Sequence, residues 1–143
     1  MRVLWVRSRD VIEIRFLDRR PAPERVTRAD VLAHIADYRL LGVTLSDTKR
    51  LRLGALLRAG RPPLNVAPGD PLPAGTILYD EAARTAYISL WPNLTGGQEQ
   101  RVARNARLLL DGQGRLARIR IPVAGPKGEE DALGPAAGLL PRR

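Results

Sequence analysis

Six arginines crowd into one stretch of this chain: Arg101, Arg104, Arg107, Arg115, Arg118 and Arg120, with Asp111 the single acid between residues 101 and 120. A guanidinium stays charged and grips phosphate or carboxylate through two parallel N–H bonds, which an ammonium cannot do. Arg118 and Arg120 alternate with Ile119 and Ile121, so on a strand they share one face. Arg101, Arg104 and Arg107 are spaced by three and lead into the same region. The chemistry on offer is recognition of phosphates or of an acidic protein surface. Reversal of Arg118 and Arg120 to Glu is expected to abolish binding and leave the fold.

Other candidates carry less. Trp91 precedes Pro92 at a strand end and could anchor an interface, although capping a core is the commoner role. His34 is the single histidine, and no Ser or Cys with a base partner is discernible, so a satisfied, partly buried side chain is expected. Asp80 and Glu81 fall in a turn, and Glu129, Glu130 and Asp131 in a tail, where acids are ordinarily solvated. No phosphate loop, zinc spacing or nucleophile elbow occurs. The expectation is a non-enzymatic protein with no catalytic residues, no metal and no cofactor.

The charge balance points the same way. Lys plus Arg is 24 against 15 for Asp plus Glu, giving +9. All the basic residues but Lys49 and Lys127 are arginine. Such a surface attracts polyanions. GC-rich coding is a second source of arginine excess, and one Met with no Cys fits a thermophilic origin. The absence of Cys excludes disulfides and thiolate chemistry. No apolar run reaches the length of a membrane-crossing helix, and the run at Val3–Val6 is too short for a signal peptide, so a cytoplasmic protein without a membrane partner is expected. The chain has two Trp, three Tyr and one Phe. With Phe16, Tyr79 and Tyr87 at core-like positions, base stacking is disfavoured and backbone or protein contact is left.

These residues need a scaffold, and 143 residues are enough for one ordinary domain. Residues 3–6 and 11–16 read as a hairpin, because Ile12, Ile14 and Phe16 alternate with Glu13 and Arg15. Thr27 and Asp30 then resemble a helix start, and Val31, His34, Ile35 and Tyr38 recur at helical spacing, with Gly42 as the stop. Ser46 to Ala59 reads as a second helix. Residues 61–75 hold five prolines and form a linker or a wrapped arm. Residues 77–79 and 86–91 give a second hairpin. Residues 108–111 and 115–123 give a third, around Asp111-Gly112-Gln113-Gly114.

The expected class is α+β: an antiparallel sheet of three hairpins with a helical hairpin packed on one face. The expected organisation is a single domain over 1–124, comprising 1–60, the Pro-rich connector 61–75 and a β-meander over 76–124. Residues 125–143 follow as a flexible tail, in which 132–140 could dock.

Two resemblances bear on this. The stretch 76–123 resembles a small bacterial β-hairpin family of unknown function, through Tyr79-Asp80, Tyr87-Ile88 with Leu90, and Asp111 with Gly114-Arg115-Leu116 before Ile119 and Ile121. That resemblance implies an antiparallel meander on a helix and an antitoxin-like partner role. The chain departs from the family by placing arginine at 84, 118 and 120. Residues 32–57, through Leu41-Gly42 and Leu45-Ser46, are similar to the helix pair of MerR-type regulators, which implies a transcriptional role. The favoured function is docking on nucleic acid, or on a component of transcription or another nucleic-acid machine. The alternative is an antitoxin-like or phage-type regulator that binds an acidic protein.

Overall fold

The computed structural model describes residues 1–16, 25–46, 75–80, 84–91, 99–112, 116–125 and 132–142. Eight strands run in chain order: β1 (Arg2–Val6), β2 (Val11–Arg15), β3 (Arg25–Ala36), β4 (Arg39–Ser46), β5 (Ile77–Asp80), β6 (Thr85–Ser89), β7 (Gln100–Leu110) and β8 (Leu116–Pro122). One short helix, α1 (Leu133–Ala137), follows. The strands form a single antiparallel sheet in the order β1-β2-β8-β7-β3-β4-β6-β5. It curls into a half-barrel.

The class is therefore mostly β, and the expected α+β fold with a helical hairpin is corrected. Residues 25–46, assigned to the first helix and its exit, are β3 and β4, the long hairpin at the centre of the sheet. Ala29, Val31, Ala33 and Ile35 are all buried, which is a period of two. Asp30 does not cap a helix; it accepts a hydrogen bond from the Asn105 side chain on β7. Gly42 does not end a helix; it sits in β4 beneath Tyr87, whose ring leaves no room for a Cβ. The described part of the stretch similar to the MerR-type helix pair, 32–46, is the end of β3, a two-residue turn and β4. The second predicted helix lies outside the described residues beyond Ser46, as does the connector 61–75 except Gly75.

The other three hairpins form where the alternation places them, as β1–β2, β5–β6 and β7–β8. The third is longer than its sequence signal, because β7 begins at Gln100.

The core occupies one face of the curled sheet. Ile12, Ile14, Leu45, Ile88, Leu108, Leu110, Ile119 and Ile121 are fully buried there. Helix α1 belongs to the same cluster through Leu133, Ala136 and Ala137. After α1 the chain reaches the β1 edge, where the Trp5 amide donates to the Pro141 carbonyl at 2.9 Å. That contact covers part of a strand edge otherwise open to other chains. Among the described residues, no helix is long and apolar enough to cross a membrane.

Candidate functional site

The face opposite the core is where charge collects, and strand register decides which arginines meet there. Arg120 on β8 lies opposite Glu13 on β2 and Arg107 on β7, and Arg107 lies opposite Arg28 on β3. One cross-strand rung thus reads Glu13, Arg120, Arg107, Arg28. The neighbouring rung reads Arg15, Arg118, Leu109, Val26.

Glu13 is the hub. Only 1% of it is exposed, so an ionised carboxylate there needs partners. Arg15 Nε donates to Glu13 Oε1 at 2.7 Å, and Arg118 Nη1 donates to the same oxygen at 2.9 Å. Arg120 Nε stands 3.4 Å from Oε2. Burial pushes the Glu13 pKa upward, but the Arg15 hydrogen bond and the charges of Arg15, Arg118 and Arg120 outweigh it. The net shift is below the usual carboxylate value. The Arg15 and Arg118 hydrogen bonds both fall on Oε1, and among the described residues Arg15 Nη2 and Arg120 Nε are buried without a hydrogen bond.

Arg107 and Arg28 continue the rung into solvent. Both are exposed, and among the described residues neither has a carboxylate within 4.0 Å. Asp30, one rung further on, is engaged by Asn105. Adjacent strands are spaced by about 4.8 Å, so Arg28, Arg107 and Arg120 project from backbone positions within about 10 Å. Like charges directly opposite each other destabilise a sheet. An anion laid across the rung removes that repulsion.

The six predicted arginines thus divide. Arg107, Arg118 and Arg120 share this face, and only Arg107 is freely exposed. Arg118 is buried against Glu13, so its reversal to Glu would set two carboxylates together and disturb the fold. Arg104 is on the core face, because a spacing of three alternates sides on a strand. Its guanidinium donates to the carbonyls of Ala103, Pro122 and Val123. It closes the end of the β7–β8 ladder. Arg101 is exposed at the far end of β7, 3.7 Å from Glu99. Arg115 lies outside the described residues.

Sequence reasoning missed Arg28, hidden in the presumed helix, and the burial of Glu13. The signal for Glu13 was present: a lone acid in one alternating strand matches Arg118 and Arg120 in another.

Trp91 is 43% exposed, with the Arg39 guanidinium 4.7 Å from its ring centroid. Tyr38, placed on the presumed helix, is instead 69% exposed at the β3–β4 turn next to Arg39. His34 lies between Glu99 and Thr44, contacting each through a ring nitrogen. Among the described residues no group of three His, Cys, Asp or Glu side chains could hold a metal ion. In comparison with known proteins the chain matches no family model, no curated protein and no solved structure.

Proposed function

We propose that this protein is a basic binding module that docks on a nucleic-acid backbone through the second face of its sheet. In this reading Arg28, Arg107 and Arg120 are the phosphate partners, and Arg101 extends the contact along β7. Arg118 and Arg15 hold the rung in place through Glu13. The observation that carries the reading is the Arg28–Arg107–Arg120 rung, a cross-strand run of like charge whose exposed end has, among the described residues, no acid against it. Backbone contact needs no base stacking, and it suits a component of transcription or another nucleic-acid machine.

The test is a salt titration of binding to labelled duplex DNA, single-stranded DNA and RNA. Affinity should fall linearly on a log–log plot, with a slope that counts the phosphates neutralised. Absence of binding to all three at low salt overturns the reading.

A second reading, a regulator that binds an acidic protein surface, has one observation of its own: the corner formed by Tyr38, Arg39 and Trp91. Exposed Trp, Tyr and Arg are the residue types that anchor protein interfaces. Binding that disappears with Trp91→Ala and is nearly insensitive to salt would favour it.

A further inference from the structure

A second cluster on the same sheet face holds groups that anion binding does not use. His34 on β3 lies opposite Gly42 on β4 and Arg101 on β7. Glu99 Oε1 contacts His34 Nδ1, and Thr44 Oγ1 lies 2.6 Å from His34 Nε2. When the ring is neutral with its hydrogen on Nδ1 toward the Glu99 carboxylate, Nε2 accepts from the Thr44 hydroxyl. Carboxylate, imidazole and hydroxyl stand in the order that activates a nucleophile for acyl transfer. Arg101 Nε, 3.7 Å from Glu99, sets a positive charge beside the carboxylate.

Tyr87 supplies an independent observation. It lies directly across from Thr44 on β6, and its ring meets the His34 ring edge to face at 5.3 Å. Its hydroxyl lies over Gly42 and, among the described residues, is buried without a hydrogen-bond partner. Burial and the charge of Glu99 push its pKa up to about 12. The ring packs the imidazole in place.

We propose that Thr44 is an acyl-accepting nucleophile activated by His34, that the Tyr87 ring is a positioning group packed on the imidazole, and that the substrate class is a small activated ester. Glu99 is a positioning residue that holds the imidazole. Thr44 Oγ1 bonds to the carbonyl carbon as its proton passes to His34 Nε2. The tetrahedral intermediate collapses, the ester C–O bond breaks, and the departing alcohol takes the proton from Nε2. Water, deprotonated by the same nitrogen, then attacks the acyl group, and Thr44 leaves with its proton restored. Ester and water become acid and alcohol. This activity goes beyond the binding role, and its reacting residues, Thr44 and His34, are not phosphate partners.

The test is incubation of the full chain with 4-nitrophenyl acetate, with nitrophenolate release followed by absorbance and the acetylated residue located by peptide mass spectrometry. One acetyl group on the peptide containing Thr44 is expected. Thr44→Val should abolish it and Thr44→Ser retain it. Glu99→Gln should slow it on the order of 10²-fold, the scale of base catalysis. A wild-type chain with no acetyl group on Thr44 and nitrophenolate release no faster than that of Thr44→Val overturns the proposal.

Discussion

Glu13 and Arg118 are 2.9 Å apart across β2 and β8, although 105 positions separate them in the chain. This contact ties the first hairpin to the last, and Arg15 and Arg120 share the same carboxylate. Removing one member of a buried ion pair strands the others, which costs far more than the pair itself contributes. Glu13→Gln is therefore expected to lower stability by about 3–5 kcal/mol. Urea unfolding checks it, with the midpoint falling and the slope unchanged. Arg107→Gln, on the exposed end of the same rung, should change little.

The same carboxylate makes stability depend on acid. The folded-state pKa of Glu13 is lowered, while the unfolded chain has the ordinary value. The folded state then binds its proton less readily. The contribution is fully present above the ordinary carboxylate range, about 4.3, and is lost as pH falls through the lowered value. Unfolding midpoints taken from neutral pH downward should drop more steeply for the wild type than for Glu13→Gln. Parallel curves would remove Glu13 as the cause.

Nucleic-acid binding separates the exposed arginines from the buried ones. Arg28→Glu combined with Arg107→Glu should weaken binding uniformly across sequences and reduce the salt slope by roughly one for each phosphate no longer neutralised. Circular dichroism should show the sheet intact. Arg118→Glu should instead lower the unfolding midpoint, because it places a second carboxylate beside Glu13. If Arg28 and Arg107 reversal leaves the salt slope untouched, the rung does not touch the phosphates.

Helix α1 is short, yet its side chains complete the core. Leu133 is fully buried among the sheet residues. Leu133→Ala should cost about 2–5 kcal/mol, the scale for a large-to-small change in a packed interior. Thermal unfolding reads it directly. A change below about 0.5 kcal/mol, the scale of surface substitutions, would mean the helix is not part of the cooperative core.

Three of the four hairpins were legible because their alternation is clean: Ile12 and Ile14 against Glu13 and Arg15, or Ile119 and Ile121 against Arg118 and Arg120. The fourth was not. Its turn residues, Asp37 and Tyr38, both have positive φ, 51° and 59°, the geometry of a two-residue hairpin turn that sequence normally marks with Asn-Gly. Without glycine the turn gave no signal. A bulge at His34/Ile35 also breaks the period of two, so Val31, His34, Ile35 and Tyr38 matched a helix by coincidence. The site suffered accordingly. Arg28 was read onto a helix, and the Glu99, His34 and Thr44 cluster could not be seen, because it depends on the register of β3 with β4 and on residues 65 positions apart.

The Tyr87 hydroxyl carries a stability cost. It is buried without a partner among the described residues, and an unsatisfied buried donor costs about 1–3 kcal/mol. Tyr87→Phe keeps the ring against His34 and removes the orphan, so the variant should be more stable by about that amount at neutral pH. Gly42→Ala should act oppositely on the fold. The new Cβ would stand 2.7 Å from the Ile88 carbonyl, and crowding of that kind costs about 1–3 kcal/mol. The alkaline limb adds a check. The phenol is held at about 12 in the fold and near 10 when unfolded, so the folded state retains its proton longer. That contribution is fully present below about 10 and is lost as pH rises through about 12. The stability advantage of Tyr87→Phe should therefore widen between those values. A difference spectrum of wild type against variant should show one phenol ionising near 12. A variant that is less stable than the wild type at neutral pH would mean that the hydroxyl already has its acceptor.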